Sequence, residues 1–218
     1  MDEWMPWVAG VVIVVSALLI VIGKTVAKKQ AGRIVYAGGS DALRPTAEGW
    51  TLGVIARYQM QMGLPVDRYR PSWLRRDGLR MVLHRDWNVS SAAKLRETLQ
   101  WLDAEGHRRA FSEENQEPQE NFLAWDYGRI VWLAWAGLHT GRLQPEETKA
   151  WLVRAASVMQ PLYRDWGGYG ASYLRGLACW SAKVRASGEP GLTQTSFETL
   201  LNDPQSPWKR VPWHTPVS

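Results

Sequence analysis

Residues Trp7 to Gly23 carry no charge, and Val8 to Ile22 is almost wholly Val, Ile, Leu and Ala. At about 1.5 Å per residue, roughly 17 helical residues cover about 25 Å, near the lower limit for crossing a bilayer. Lys24 can snorkel its stem toward the interface, and Trp4 and Trp7 stand where an interfacial aromatic belt belongs. A cleaved secretory signal needs a basic segment before its apolar core. Here Asp2 and Glu3 precede the core, and Lys24 follows it directly. Residues 1–29 are therefore predicted to form one N-terminal transmembrane anchor with its flanks. Lys24, Lys28, Lys29 and Arg33 follow the span, so the positive-inside rule expects the N-terminus outside and the long C-terminal part in the cytoplasm.

A mean hydropathy of −0.30 excludes a polytopic membrane protein, and the remaining chain reads as an ordinary folded body. Its single cysteine, Cys179, excludes an internal disulfide and any zinc site of two or more thiolates. Gly32, Gly38, Gly39, Ser40 and Pro45 punctuate residues 30–45 as a linker. Residues 46–188 predict an all-α, compact domain of about six helices, because apolar residues recur at helical spacing and alternating β-type runs are scarce. The expected helices cover about Thr46 to Met62, Leu79 to His84, Ser91 to Gly106, Asn121 to Leu138, Pro145 to Met159 and Ala171 to Arg185. The third is the clearest: Ser90 or Ser91 caps it, Leu95, Leu99 and Leu102 fall at i, i+4 and i+7, and Gly106 sits at the C′ position. Ser112 to Glu120 reads as a solvated loop, and Gly167 to Gly170 as an interhelical turn. In residues 189–218, Pro204, Pro207, Pro212 and Pro216 leave room for only a short helix near Ser196 to Leu201. Trp208 and Trp213 either pin this tail to the domain, the favoured reading, or serve as exposed interface aromatics.

Several blocks resemble the bacterial DUF1266 family. They are Trp50-Thr-Leu-Gly-Val-Ile-Ala, Leu83-His-Arg-Asp-Trp87-Asn-Val-Ser, Leu99-Gln-Trp-Leu102-Asp-Ala-Glu-Gly106-His107-Arg108, Ala124-Trp125-Asp126-Tyr-Gly-Arg129, and Trp166 followed by Tyr173-Leu-Arg-Gly176 and Trp180. Together they cover about residues 48 to 185. The resemblance implies a mostly helical domain in bacterial proteins, and no established reaction, cofactor or substrate. It leaves the apolar run and the Pro-rich tail outside the matched region.

Asp126 and Arg129, at i and i+3, share a helix face within an apolar helix. The favoured reading is a structural ion pair in the core; the sharper one is a catalytic carboxylate with an orienting arginine. His107, beside Arg108, reads as a histidine at a helix C-terminus, where the dipole favours it. Nothing in the sequence brings it to Asp126. Arg68, Arg70, Arg75, Arg76, Arg80 and Arg85 stand against only Asp77 in their interval. They form a solvated face, a surface for anionic lipid, or one for an acidic partner. His84, His107, His139 and His214 lack paired metal-ligand spacing, and no Walker A, HExxH or GxSxG pattern is present. The chain thus predicts a bacterial inner-membrane protein with a periplasmic N-terminus and a cytoplasmic helical domain. It would bind another protein, possible roles including an accessory or immunity protein of an antibacterial secretion system. No metal, cofactor or nucleic acid is expected. The alternative is a hydrolase-like enzyme using an Asp126, Arg129 and His107 pocket.

Overall fold

The computed structural model describes residues 33–38, 43–184 and 189–218. The predicted membrane span lies outside the described residues. Among them, no helix is long and apolar enough to cross a membrane. The helices are α1 (Ala47–Gln61), α2 (Trp73–Trp87), α3 (Ala92–Ala104), α4 (Gly106–Asn115), α5 (Glu120–His139), α6 (Pro145–Met159), α7 (Trp166–Val184), α8 (Glu189–Asn202) and a single turn, α9 (Pro207–Arg210). There is no strand among the described residues, so the all-α expectation holds, with more helices than the six expected.

The body is built around α5. Every residue from Phe122 to Gly137 is buried, because a helix without a polar face must be surrounded. α7 and α6 make its principal contacts, and α3, α4, α1 and α2 complete the casing. Gly176 permits the closest approach of α7: a Cβ there would collide with the Cβ of Trp125. α1 is held at its start by Thr46, whose hydroxyl accepts from Gly49 N at 3.2 Å, and it is buried from Gly49 to Met60. Ser91 caps α3 as the sequence implies, and Leu95, Leu99 and Leu102 are its buried stripe.

Four local expectations are corrected. The Ser112 to Glu120 loop begins later, because α4 continues to Asn115 and closes through Gln116 in the left-handed region. The glycine run is not a turn. It lies in the first turn of α7, where Asp165 Oδ1 accepts from Gly168 N at 2.9 Å, and Gly170 leaves space for the Trp208 ring. Each helical glycine costs about 1 kcal/mol against alanine, a cost that cap and close packing offset here. α2 spans Trp73–Trp87, well beyond the short stretch expected. Part of the expected linker is docked: Val66 N donates to Val35 O at 2.9 Å, and Ala37 N donates to Asp67 Oδ1 at 2.7 Å.

The C-terminal segment belongs to the core. Trp208 stacks on Trp166 at 5.6 Å and donates its indole N–H to Gly53 O at 2.8 Å. Trp213 packs on Trp166, Tyr169 and Trp50. Gln160 Nε2 donates to the carbonyls of Trp213 and Thr215. Both tryptophans are buried, so the reading of Trp208 and Trp213 as exposed interface aromatics is overturned. Burying indoles at these distances from other rings is worth more than leaving them to solvent.

Candidate functional site

Gly106 is where the polar cluster begins. The chain leaves α3 through Glu105 and turns at Gly106, which has a positive φ of 59°. A Cβ at this position would strike the Asp126 carboxylate. Glycine is therefore required twice, by conformation and by space. α4 starts immediately, and its N-cap residue Glu105 makes no side-chain capping bond. Asp126, reaching across from α5, does that work: Oδ1 accepts from His107 N at 3.2 Å and Oδ2 from Arg108 N at 2.9 Å. A carboxylate at a helix N-terminus is stabilised by the unpaired N–H groups and the helix dipole.

Arg108 turns the opposite way and closes α3. Its Nη1 donates to Leu102 O at 2.5 Å and to Asp126 Oδ2 at 3.3 Å, and its Nη2 donates to Asp103 O at 2.6 Å. Guanidinium groups suit the last carbonyls of a helix. Arg129 Nη2 donates to Asp126 Oδ1 and lies 2.9 Å from His107 Nδ1, while its Nε donates to Trp125 O at 3.0 Å. One carboxylate thus staples the α3–α4 corner to the central helix.

Asp126 is completely buried; Arg108 and Arg129 are nearly so. A guanidinium only donates, so Nδ1 of His107 accepts and the neutral ring carries its proton on Nε2. Burial, then the Arg129 charge, push the His107 pKa down to about 4, against the pull of Asp126. The 3.9 Å approach of His107 to Asp126 is accordingly not an ion pair. The expectation that His107 sits at a helix C-terminus is also corrected. It is in the first turn of α4, where a positive charge would be opposed by the dipole.

His107 and Arg129 reach the edge of an open cleft of about 700 Å3 between α1, α2, α3, α5 and α7. Its walls are Trp87, Trp101, Trp125, Trp132 and Trp180. Trp87 stacks on Trp132 at 5.5 Å, and the Arg129 guanidinium lies 4.4 Å from the Trp125 ring centre. Asp126 does not line the cleft. The structure thus brings together His107, Arg108, Asp126 and Arg129, but only the first and last face the cavity. Sequence reasoning missed the aromatic walls as a set. The signal was present on α5: Trp125, Arg129 and Trp132 fall at i, i+4 and i+7 and so share a face.

The six arginines border three different depressions. All six are exposed. Arg70, Arg76 and Arg80 border a depression of about 630 Å3 with Lys149 and Glu48, Arg68 and Arg75 border a second, and Arg85 stands at the aromatic cleft. Arg80 pairs with Asp77 at 2.9 Å, and Arg85 is bound by both oxygens of Asp86. Among the described residues no three His, Cys, Asp or Glu side chains are grouped as metal ligands. Cys179 is half-buried, its thiol pushed up by burial, with Asn115 Nδ2 3.7 Å from Sγ.

His139 behaves like His107: burial, then Arg76 and Arg70, lower its pKa to about 4. Both rings are neutral in the fold, whereas the unfolded chain takes up protons near 6.5. Between these values the unfolded state binds more protons, so stability declines as pH falls from 6.5 toward 4 and is fully present above 6.5. Each group contributes a slope of up to about 1.4 kcal/mol per pH unit. Urea unfolding followed by tryptophan fluorescence at stepped pH checks this, and His107→Gln reduces the slope.

A helical body with a buried charged hub and an aromatic cleft defines the class as an all-α domain with a preformed cavity. Residues 113–213 match the model of a family described as "Protein of unknown function (DUF1266)". That match supports the DUF1266 assignment over the stretch it covers. The match runs from within α4 through α9, so most of the tail lies inside it, contrary to the sequence expectation, and the earlier blocks from Trp50 to Arg108 lie outside it. No curated protein and no solved structure matches the chain.

Proposed function

We propose that this chain is a membrane-anchored binding module with no catalytic chemistry of its own, held in a bacterial inner membrane by its N-terminal segment with the helical domain in the cytoplasm. The apolar run and its flanking charges support the placement. The state of Asp126 carries the functional part. Its oxygens accept from two backbone N–H groups and two guanidinium groups, and it has no exposure. A general base must reach the proton it removes, and this carboxylate is closed off beneath the cleft. What faces the opening is aromatic surface and hydrogen-bond donors, the composition of a recognition site. A protein partner is the expected occupant, and an accessory or immunity protein of an antibacterial secretion system is one role that suits such an anchored binder.

Photocross-linking tests this in native membranes. A benzophenone side chain replacing Trp101, which is 41% exposed at the cleft, is expected to give a discrete adduct. The same group at Leu162, 44% exposed and outside the cleft, is expected to give none. Identical patterns at the two positions, or recovery of the full-length chain in the soluble fraction, refute the proposal.

A further inference from the structure

The cleft floor holds a charge imbalance. Arg108 and Arg129 are both buried, and Asp126 is the one carboxylate among the described residues within ion-pair distance of either. Asp103 offers Arg108 only its carbonyl, because its carboxylate is taken by Tyr127 at 2.7 Å and Arg154 at 3.0 Å. His107, beside Arg129, is neutral and adds nothing to the balance. Two buried cations therefore share one buried anion, and of the two it is Arg129, between the rings of Trp125 and Trp87, that lines the cleft. An uncompensated buried charge is costly and attracts a counter-charge to the nearest accessible position.

The cleft lining also holds idle hydrogen-bond donors. The indole N–H groups of Trp125 and Trp132 are buried and have no acceptor, although these residues are only 5% and 1% exposed. Buried donors in native proteins are nearly always satisfied. Asp86, the one carboxylate among the lining residues, is clamped by Arg85 at 2.5 and 2.8 Å. The Thr98 hydroxyl is committed to Lys94 O at 2.8 Å. The cleft thus combines aromatic walls, idle donors and the buried guanidinium groups of Arg57 and Arg129 in a volume typical of small-ligand sites, which run from about 300 to 1,000 Å3.

We infer that the cleft binds an organic carboxylate carried on an apolar body, with the oxyanion drawn to the Arg129 side and the apolar part held between the indoles. A planar carboxylate suits guanidinium recognition. The same chemistry is offered by a free aromatic or aliphatic acid and by the C-terminal residue of a polypeptide. This assignment rests on the reading of the chain as a binding module and specifies what that module recognises.

The test uses the full-length protein in phosphatidylcholine nanodiscs, read by its tryptophan fluorescence. The probes are N-acetyl-L-phenylalanine, its amide, and a pentaalanine-phenylalanine hexapeptide with a free C-terminus; none of them contributes indole signal. The acid is expected to bind at least about tenfold more tightly than the amide, the gap a charge-assisted hydrogen bond supplies. Trp101→Ala, at an exposed wall position that the core does not need, is expected to weaken the acid about fivefold or more. Arg129→Lys should narrow the acid–amide gap if it folds; Trp101→Ala decides the matter if it does not. A hexapeptide tighter than the acid supports a polypeptide end as the natural source, and equal affinities support a free acid. Equal binding of acid and amide, or acid binding indifferent to Trp101→Ala, overturns the inference. Cross-linking to a partner can succeed while this titration fails, so the two readings fail separately.

Discussion

Asp126→Ala lowers the unfolding free energy by about 3–5 kcal/mol, the loss expected when a buried ion pair is left with its cations alone. The physical reason is specific to this hub. The substitution strands Arg108 and Arg129 in the interior and removes the acceptor for the first N–H groups of α4. Asp126→Asn keeps an acceptor and loses the charge, so a smaller loss is expected. Urea denaturation of the full-length protein, followed by tryptophan fluorescence, measures both. A double-mutant cycle with Arg129→Met separates the pair from the cap: the double variant should be more stable than the summed single losses imply, because no cation then remains unpaired at that position. A catalytic Asp126 would behave otherwise, since its replacement would leave folding nearly intact.

Trp208→Ala is expected to cost about 3–5 kcal/mol, the range for truncating a buried tryptophan. Its ring lies against Trp166, Tyr169 and Phe197, and its N–H holds the carbonyl of Gly53 on α1. His214→Ala, one position beyond Trp213 and exposed, should change stability by no more than about 0.5 kcal/mol. Were Trp208 an interface anchor, its removal would leave the unfolding curve unchanged. The same denaturation experiment distinguishes these outcomes, and deletion after Asn202 should be more damaging still, because it removes α9 and both tryptophans.

The amino-acid order by itself determined the helical class, the stripe Leu95, Leu99 and Leu102, the cap at the start of α3, the Pro145 start of α6 and the nearness of Asp126 to Arg129. Each follows from interactions within a turn or two of chain, which period and capping chemistry express directly. It also indicated the family, through blocks whose residues recur around the hub. Only the tertiary structure decided that Gly106 begins a second helix rather than merely ending one, since that depends on a carboxylate 20 positions later arriving to cap it. The destination of Trp208 and Trp213 was likewise a matter of long-range packing. So was the cleft: its indoles come from α2, α3, α5 and α7, and no local pattern records that four separated helices turn those rings toward one space.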